Sequence, residues 1–278
     1  MSLLSPKAHW SATRELMSLI TRHRQLTWEL TRREVSDVYA GRVLGWLWVI
    51  GHPLIQMAVY FFIFGVVLKF EIPNPDSLAR PDYAVYLLSG LIPWMAFIAS
   101  MTKASQTLVA NSGLVKQIVF PIEVLPVRGA LAAMLPLLIS FLLVTTYCLV
   151  RYGLLPWTWL LLPVLVSLQL VAMVGVSLML SAVGVFLRDI GEVIQVFGMV
   201  GVFLMPAFFP PDRVPPIFRP ILYANPFSYM VWCYQDVCYF GRIEHPWAWP
   251  AFAVLSLLTF GLGYRVFRQL KPQFGNFL

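Results

Sequence analysis

Charge is scarce in this sequence. Of 278 residues only 12% are Asp, Glu, Lys or Arg, 59% are hydrophobic, and the mean hydropathy is +0.75. A water-soluble domain of this length would hardly tolerate such a surface, so lipid must be the solvent for most of the chain. Ionisable side chains are nearly missing from the interior of the apolar runs, which argues against a secondary transporter, whose ion coupling needs acids, Lys or His inside the spans. His52, followed by Pro53 near the start of the first run, is the one candidate, and a packing or interfacial role is the plainer reading of it. No lysine precedes Ser or Thr, so the phosphate-cradling Gly-Lys-Ser/Thr loop is absent and any ATP must be held by a partner. Cysteine is limited to Cys148, Cys233 and Cys238, in no zinc or redox spacing. Five positions on a helix turn the last two roughly 140° apart, so they are expected as free thiols.

What is present is length of apolar run. A helix needs about 20 residues to cross about 30 Å of hydrocarbon. The runs predict six spans, at about 45–69, 83–102, 128–150, 157–187, 193–209 and 247–267, the fifth being short and ending near Pro206 and Pro210. Residues 1–44 are polar, with no removable leader expected, and 45–278 read as one transmembrane domain without repeats. The fold class is therefore all-α integral membrane.

The net charge of +7 reports topology rather than nucleic-acid binding, because the cations stand at the ends of apolar runs. With alternating loops, one side collects Lys7, Arg14, Arg22, Arg24, Arg32, Arg33, Arg42, Lys103, Lys116, Arg128, Arg188, Arg265, Arg268 and Lys271; the other has Lys69, Arg80, Arg151, Arg213, Arg219 and Arg242. The positive-inside rule then places both termini in the cytoplasm.

Three segments outside the spans carry further pattern. Leu16, Leu19, Ile20, His23, Leu26 and Leu30 recur at helical spacing among arginines, which predicts an amphipathic helix on an anionic leaflet, against the alternative of a solvated basic arm. Residues 103–127 combine helix formers with a break at Asn111-Ser112-Gly113 and two prolines, which suits a short helix parallel to the membrane. Residues 210–246 are too rich in proline and aromatics for an ordinary loop and predict helices re-entering the outer leaflet.

The acids an embedded transferase would use, Asp189, Glu192, Asp212, Asp236 and Glu244, fall on both sides of the membrane, so the five do not form one paired-carboxylate site. Arg188, Asp189 and Glu192 form the densest charge group, read equally as a loop-orienting cluster or a helix cap. Tyr60, Phe61, Phe62, Phe64, Tyr86, Trp94, Phe97, Phe197, Phe203, Phe208 and Phe209 offer flat apolar faces suited to sugar rings, although each alone also suits helix packing.

The strings AGRVLGWLWVIGHPLIQMAVYFFIFGVVLKF, YAVYLLSGLIPWMAFIASM, LVANSGLVKQIVFPIEVLP, FLRDIGEV and PAFFPPDRVPPIFRPILYANPFSYMVW, in that order, resemble the ABC-2 type permeases of polysaccharide exporters. The chain departs from that family's commoner strings at Val38-Tyr39-Ala40-Gly41-Arg42 and Pro206-Ala207-Phe208-Phe209-Pro210. The resemblance implies a homodimer of six-span subunits in the bacterial inner membrane, joined to two ATPase subunits that bind ATP and Mg. The implied substrate is an undecaprenyl-diphosphate-linked polysaccharide, with O antigen favoured over capsule or teichoic acid. It further implies a substrate path lined by Tyr60, Phe61, Phe64, Tyr86, Trp94, Phe97, Phe197, Phe203 and Phe208. Contacts to the ATPase would come from Arg32, Arg33, Asn111, Leu114, Lys116, Phe120 and Pro121, and an outer gate from Pro210, Pro216, Asn225, Pro226 and Tyr229. A membrane glycan transferase and an exporter of small hydrophobic molecules are the rival readings.

Overall fold

The computed structural model describes residues 6–39, 45, 47–67, 83–116 and 120–278. The strings around Ala40 to Arg42, the loop carrying Lys69 and Arg80, and residues 117–119 of the loop before the third span lie outside the described residues, as does the end of the first expected span.

Two helices, α1 (Pro6–Arg22) and α2 (Arg24–Tyr39), form the arm, meeting at His23 with helical hydrogen bonds kept across the join. The arm is docked on protein: α1 packs on the last long helix and α2 on the third. Leu16 is fully buried, and Thr27 and Thr31, which stand in the same row of the arm without being apolar, are buried as well. Each threonine hydroxyl donates to the carbonyl four residues back, His23 O at 2.9 Å and Thr27 O at 2.7 Å, so it enters a buried face with its donor satisfied. The opposite face keeps Trp28 and Arg22, Arg24, Arg32 and Arg33 exposed, a composition suited to lipid headgroups.

The bundle comprises α3 (Leu47–Tyr60, continuing as a π-helical turn Phe61–Val67), α4 (Tyr83–Ala110), α5 (Ser112–Val115), α6 (Val124–Tyr152), α7 (Leu162–Phe186, led in by a 3-10 turn Trp157–Leu161) and α8 (Ile190–Gly201). It closes with α9 (Arg219–Ala224), α10 (Pro226–Gln235, continuing as a π turn Asp236–Phe240), α11 (Ala248–Leu270) and α12 (Phe274–Phe277). Among the described residues, five stretches are long and apolar enough to cross a membrane: Leu47–Phe64, Tyr83–Ala110, Val124–Tyr152, Trp157–Phe186 and Ala248–Phe277. The expected fifth span falls on a shorter apolar stretch, Ile190–Leu204, whose 15 residues reach only about 22 Å. The second expected span ends at 102, whereas α4 runs on to Ala110, because Ala104, Ser105, Thr107 and Leu108 are good enough helix residues and are buried.

Buried on nearly every side, α4 is the axis of the bundle, with α6, α7, α8 and α10 around it. Glycines set the closest crossings. A Cβ at Gly263 of α11 would lie 1.9 Å from the Gly175 carbonyl oxygen of α7, and one at Gly184 of α7 would lie 2.1 Å from the Ser105 oxygen of α4. Backbones this close are what small residues permit in helix pairs that water does not drive together. Gly153, at φ +78°, ends α6 in the left-handed conformation, its N–H donating to Leu149 O at 2.9 Å.

By contrast α3 buries little and touches mainly α6, leaving Leu47, Ile50, Leu54, Ile55, Val59, Phe62 and Val67 exposed. A similar row, Val193, Val196, Met199, Val200 and Phe203, is exposed along α8 and its extension.

Candidate functional site at the two ends of the bundle

The far end is built around a hairpin that turns back into the bundle. After α8 the chain passes Pro206 and Phe208, whose carbonyls accept from Tyr86 Oη at 3.0 Å and Tyr83 Oη at 2.9 Å, at the start of α4. It then returns inward through α9 to Asn225, and α10 climbs out again beside α4. Phe227, in the first turn of α10, packs edge-on against Trp94 and Phe97 at 5.1 and 5.0 Å. Trp94 lies eleven residues, about 16 Å, along α4 from Tyr83, so the hairpin tip reaches roughly halfway through a 30 Å core. The proline- and aromatic-rich composition predicted helices in this segment, and α9 and α10 are those helices, turned back into the bundle.

Asn225 holds that tip. Its Oδ1 caps α10 by accepting from Phe227 N at 3.0 Å, its Nδ2 donates to Leu204 O at 2.9 Å, and Pro226 follows at the first helical position. Tyr229 Oη donates to Tyr223 O at 2.8 Å, bracing α10 on α9; Pro210 precedes the turn Pro211–Arg213, and Pro216 is exposed. Asn225→Ala is expected to lower stability by about 0.5–2 kcal/mol through the lost cap, more for the orphaned Leu204 carbonyl, while Asn225→Ser retains part of it. Thermal unfolding of the purified protein, followed by size-exclusion chromatography, measures this.

The aromatics separate into two groups. Tyr60, Phe64, Phe203 and Phe208 cluster at the far end, with Phe64 and Phe203 at 4.8 and 5.2 Å from Phe208. Trp94, Phe97 and Phe197 surround Phe227 deeper in. Tyr86, Trp94, Phe97 and Phe208 are buried within the subunit, Tyr60, Phe64 and Phe197 are half-buried, and Phe61 and Phe203 are exposed.

Polar groups that sequence reasoning missed lie between these layers. Gln169 of α7, fully buried, donates to Pro93 O at 2.9 Å and accepts from Tyr234 Oη at 2.7 Å; Gln235 donates to Pro206 O at 2.7 Å. Asp236, also fully buried, receives His245 N at 3.1 Å and Trp249 Nε1 at 3.0 Å on one oxygen and faces His245 Nδ1 at 2.8 Å with the other. Three of the five candidate acids, Asp212, Asp236 and Glu244, gather at this end, Asp236 behind the wall that Asp212 and Glu244 help to line. Arg188, Asp189 and Glu192 are exposed at the opposite end, with Asp189 preceding α8 and Glu192 in its first turn, where acids favour the helix dipole. All three cysteines are free and buried.

At the arm end, Glu34 of α2 ties three elements. Its Oε1 pairs with Lys103 of α4 and its Oε2 with Arg128 Nε of α6 at 3.0 Å. Arg128 Nη2 also donates to Asn111 Oδ1 at 3.0 Å, and Asn111 Nδ2 to Thr107 O at 2.7 Å, just before α5. The arm, α4, α5 and α6 are thus joined through one carboxylate and one guanidinium. Position 34 continues the buried row 27, 31 of α2, and that spacing is the signal by which Glu34, which the sequence reading passed over, could have been found. Arg32 and Arg33 point away from it, Arg33 near Asp37 at 3.8 Å.

Within α5 Leu114 packs on the core, and after it Lys116 is exposed and Phe120 and Pro121 are half-buried. Lys116 and Phe120 share a cleft of about 660 Å³ with Arg268, Lys271 and Phe274 from the end of the chain. There Arg268 pairs with Glu15 of α1 at 2.5 Å and Lys271 with the buried Glu123 at 2.6 Å. The sequence offered no hint that the last turn of α11 meets the loop around α5.

Comparison with known proteins finds relatives that match this chain over most of its length. The chain is 28% identical over 252 residues to an O-antigen export system permease protein RfbA of Klebsiella pneumoniae, covering 90% of this chain and 93% of that one. It is 26% identical over 264 residues to the RfbA of Myxococcus xanthus, covering 94% and 98%. To the polysialic acid transport protein KpsM of Escherichia coli it is 23% identical over 244 residues, covering 85% and 90%. Residues 25–239, from the arm to the end of the re-entrant hairpin, match the model of the ABC-2 type transporter membrane domain, and the chain belongs to that family.

Proposed function

We propose that this chain is the membrane-spanning subunit of an ATP-driven exporter that moves a lipid-linked polysaccharide across the bacterial inner membrane, O antigen being the favoured cargo. The observation that carries the reading is the end-to-end likeness to O-antigen export permeases, at 26–28% identity over nine-tenths or more of this chain. The polysialic acid transporters at 23–24% keep a capsular polymer as the alternative cargo.

Permeases of this family are not enzymes; hydrolysis belongs to a separate ATPase subunit, which fits a chain without a Gly-Lys-Ser/Thr string. In this reading two copies pair with two ATPase subunits, which bind ATP and Mg. The apolar rows of α3 and α8 support pairing, since a second copy or lipid must cover them. The positive-inside count supports placing the arm, α5 and both termini in the cytoplasm. Phe61 and Phe203, exposed beside the cluster of Tyr60, Phe64 and Phe208, are the aromatic faces open to a sugar chain in this conformation.

Arg32, Arg33, Leu114, Lys116, Phe120 and Pro121 then face the ATPase, and closure of the ATPase pair pushes α5. Through Asn111, Arg128 and Glu34 the push reaches α6 and the arm together. Lys116→Ala, at an exposed position, is expected to lower export about tenfold with assembly unchanged; equal loss of assembly would give the loop a structural role instead.

Co-purification of the tagged chain in mild detergent, with mass spectrometry and an ATPase assay, tests the whole reading. A stoichiometric P-loop partner with ATP turnover is expected, together with intracellular polymer in cells lacking the chain. A solitary, ATP-independent protein and unchanged surface polysaccharide would overturn it.

A further inference from the structure

Between the limbs of the re-entrant hairpin, at the far end of the bundle, lies a cavity of about 130 Å³. Pocket volumes for drug-sized ligands run to about 300–1,000 Å³, so this one has room for a single ring and not for a chain segment or an acyl tail. Trp232 and Phe240 give it flat apolar walls, and Asp212, Gln235, Glu244 and His245 give it polar ones.

Two lining residues are themselves buried and incompletely bonded. Trp232 Nε1, a donor, and Gln235 Oε1, an acceptor, find no partner among the described residues although both side chains are 1% exposed. Buried polar atoms left in this state cost free energy that a hydrogen-bonding guest recovers. His245 is fixed for such a guest. Asp236 engages its Nδ1 at 2.8 Å, and its ring stacks on Trp232 at 5.6 Å and 19°, which leaves Nε2 as the nitrogen open to a hydroxyl.

Charge narrows the guest. Asp212 and Glu244 stand against Arg213 and Arg242, the last pairing with Glu244 Oε2 at 2.7 Å, so the charges around the wall nearly balance, which favours a neutral sugar over one that carries phosphate or uronate groups. Flat apolar walls under C–H faces, with carboxylate, amide and imidazole groups around the rim, match the two-sided chemistry of a pyranose.

We infer that this cavity is a subsite for one neutral sugar residue of the transported polymer, held at the exit by the hairpin. The inference rests on the export reading, and its test is separable from it. The permease–ATPase complex in lipid nanodiscs would be examined by saturation-transfer difference NMR with methyl glycosides of glucose, galactose, mannose and N-acetylglucosamine. A weak site of order 1 mM suffices for that method.

Transfer to the ring protons of at least one glycoside is expected. It should fall at least about fivefold in Asp212→Asn/Glu244→Gln, a double variant at exposed positions, where a one-ring site that exchanges a charged acceptor oxygen for an amide donor at two places weakens by this much or more. Oligosaccharide cut from the host's own surface polysaccharide should displace the signal. No transfer from any glycoside, transfer indifferent to the double variant, or failure of the oligosaccharide to displace it would each sink the subsite. Export is scored in parallel: intact export with no glycoside binding removes the subsite and keeps the exporter, whereas an absent ATPase partner removes the exporter whatever the glycosides do.

Discussion

Replacing Gly263 with leucine is expected to remove the folded subunit from the membrane fraction altogether. The first carbon of any side chain there meets the Gly175 carbonyl oxygen at 1.9 Å and its carbon at 2.6 Å, and these are backbone atoms that no rotamer change can move. Overpacking a core costs about 1–3 kcal/mol when neighbours can yield. Here α7 and α11 must part along a contact that runs most of their length, so the loss exceeds that range. Gly175→Ala, whose Cβ would fall 2.4 Å from the Thr259 backbone, should fail in the same way. Gly275→Ala, which meets nothing within 4 Å, serves as the control. Fluorescence-detected size exclusion of tagged variants in detergent measures this, and a monodisperse Gly263→Leu peak at the parent position would show that the crossing is looser than described.

The second large effect is expected at Glu34. Removing this carboxylate as Glu34→Ala strands Lys103 and Arg128, of which Arg128 is mostly buried, with 13% of its side chain exposed. Breaking a buried pair by deleting one partner costs about 3–5 kcal/mol, and the lower end applies because Lys103 retains contact with water. About 3 kcal/mol is a factor of about 150 in the equilibrium between docked and released arm. Limited proteolysis should then cut between α1 and α2 much faster than in the parent, and export should fall by at least tenfold. A charge exchange, Glu34→Lys with Lys103→Glu, should restore part of both readouts. Arg32→Ala, at an exposed position with no such tie, should leave proteolysis unchanged. If Glu34→Ala left the arm as protected as before, the transmission route from α5 to the arm would have to be redrawn.

The spans were legible because apolar runs of fixed length and the cations at their ends are local properties of the chain. The re-entrant segment was legible for a similar reason: Pro226 behind Asn225, with aromatics around them, cannot be read as solvated loop. Other features depend on what comes near in space. Thr27 and Thr31 look too polar for a buried row until their hydroxyls are seen returning to the backbone. Asp236 looks like a surface acid until His245, nine residues on, and Trp249 close over it. Tyr86, Trp94 and Phe97 are indistinguishable in sequence from Phe61 and Phe203, yet the hairpin covers the first three and leaves the other two open, because α10 packs against α4 and not against α3. The cleft shared by the α5 loop and the last turn of α11 joins residues about 150 positions apart, a proximity that no local pattern encodes.

The seam between α4 and the hairpin has an electrical consequence. At Gly90 the fit is tight: a methyl carbon there would lie 3.0 Å from Val231 and 3.1 Å from the Ala207 backbone, so a neighbour would have to give by a few tenths of an ångström to admit it. Neighbours in such contact leave no room for water at this point of the seam, and without water a sodium ion or a proton has no stable place to stand there. A current recorded during turnover would therefore report a route other than the seam between α4 and the hairpin at this level.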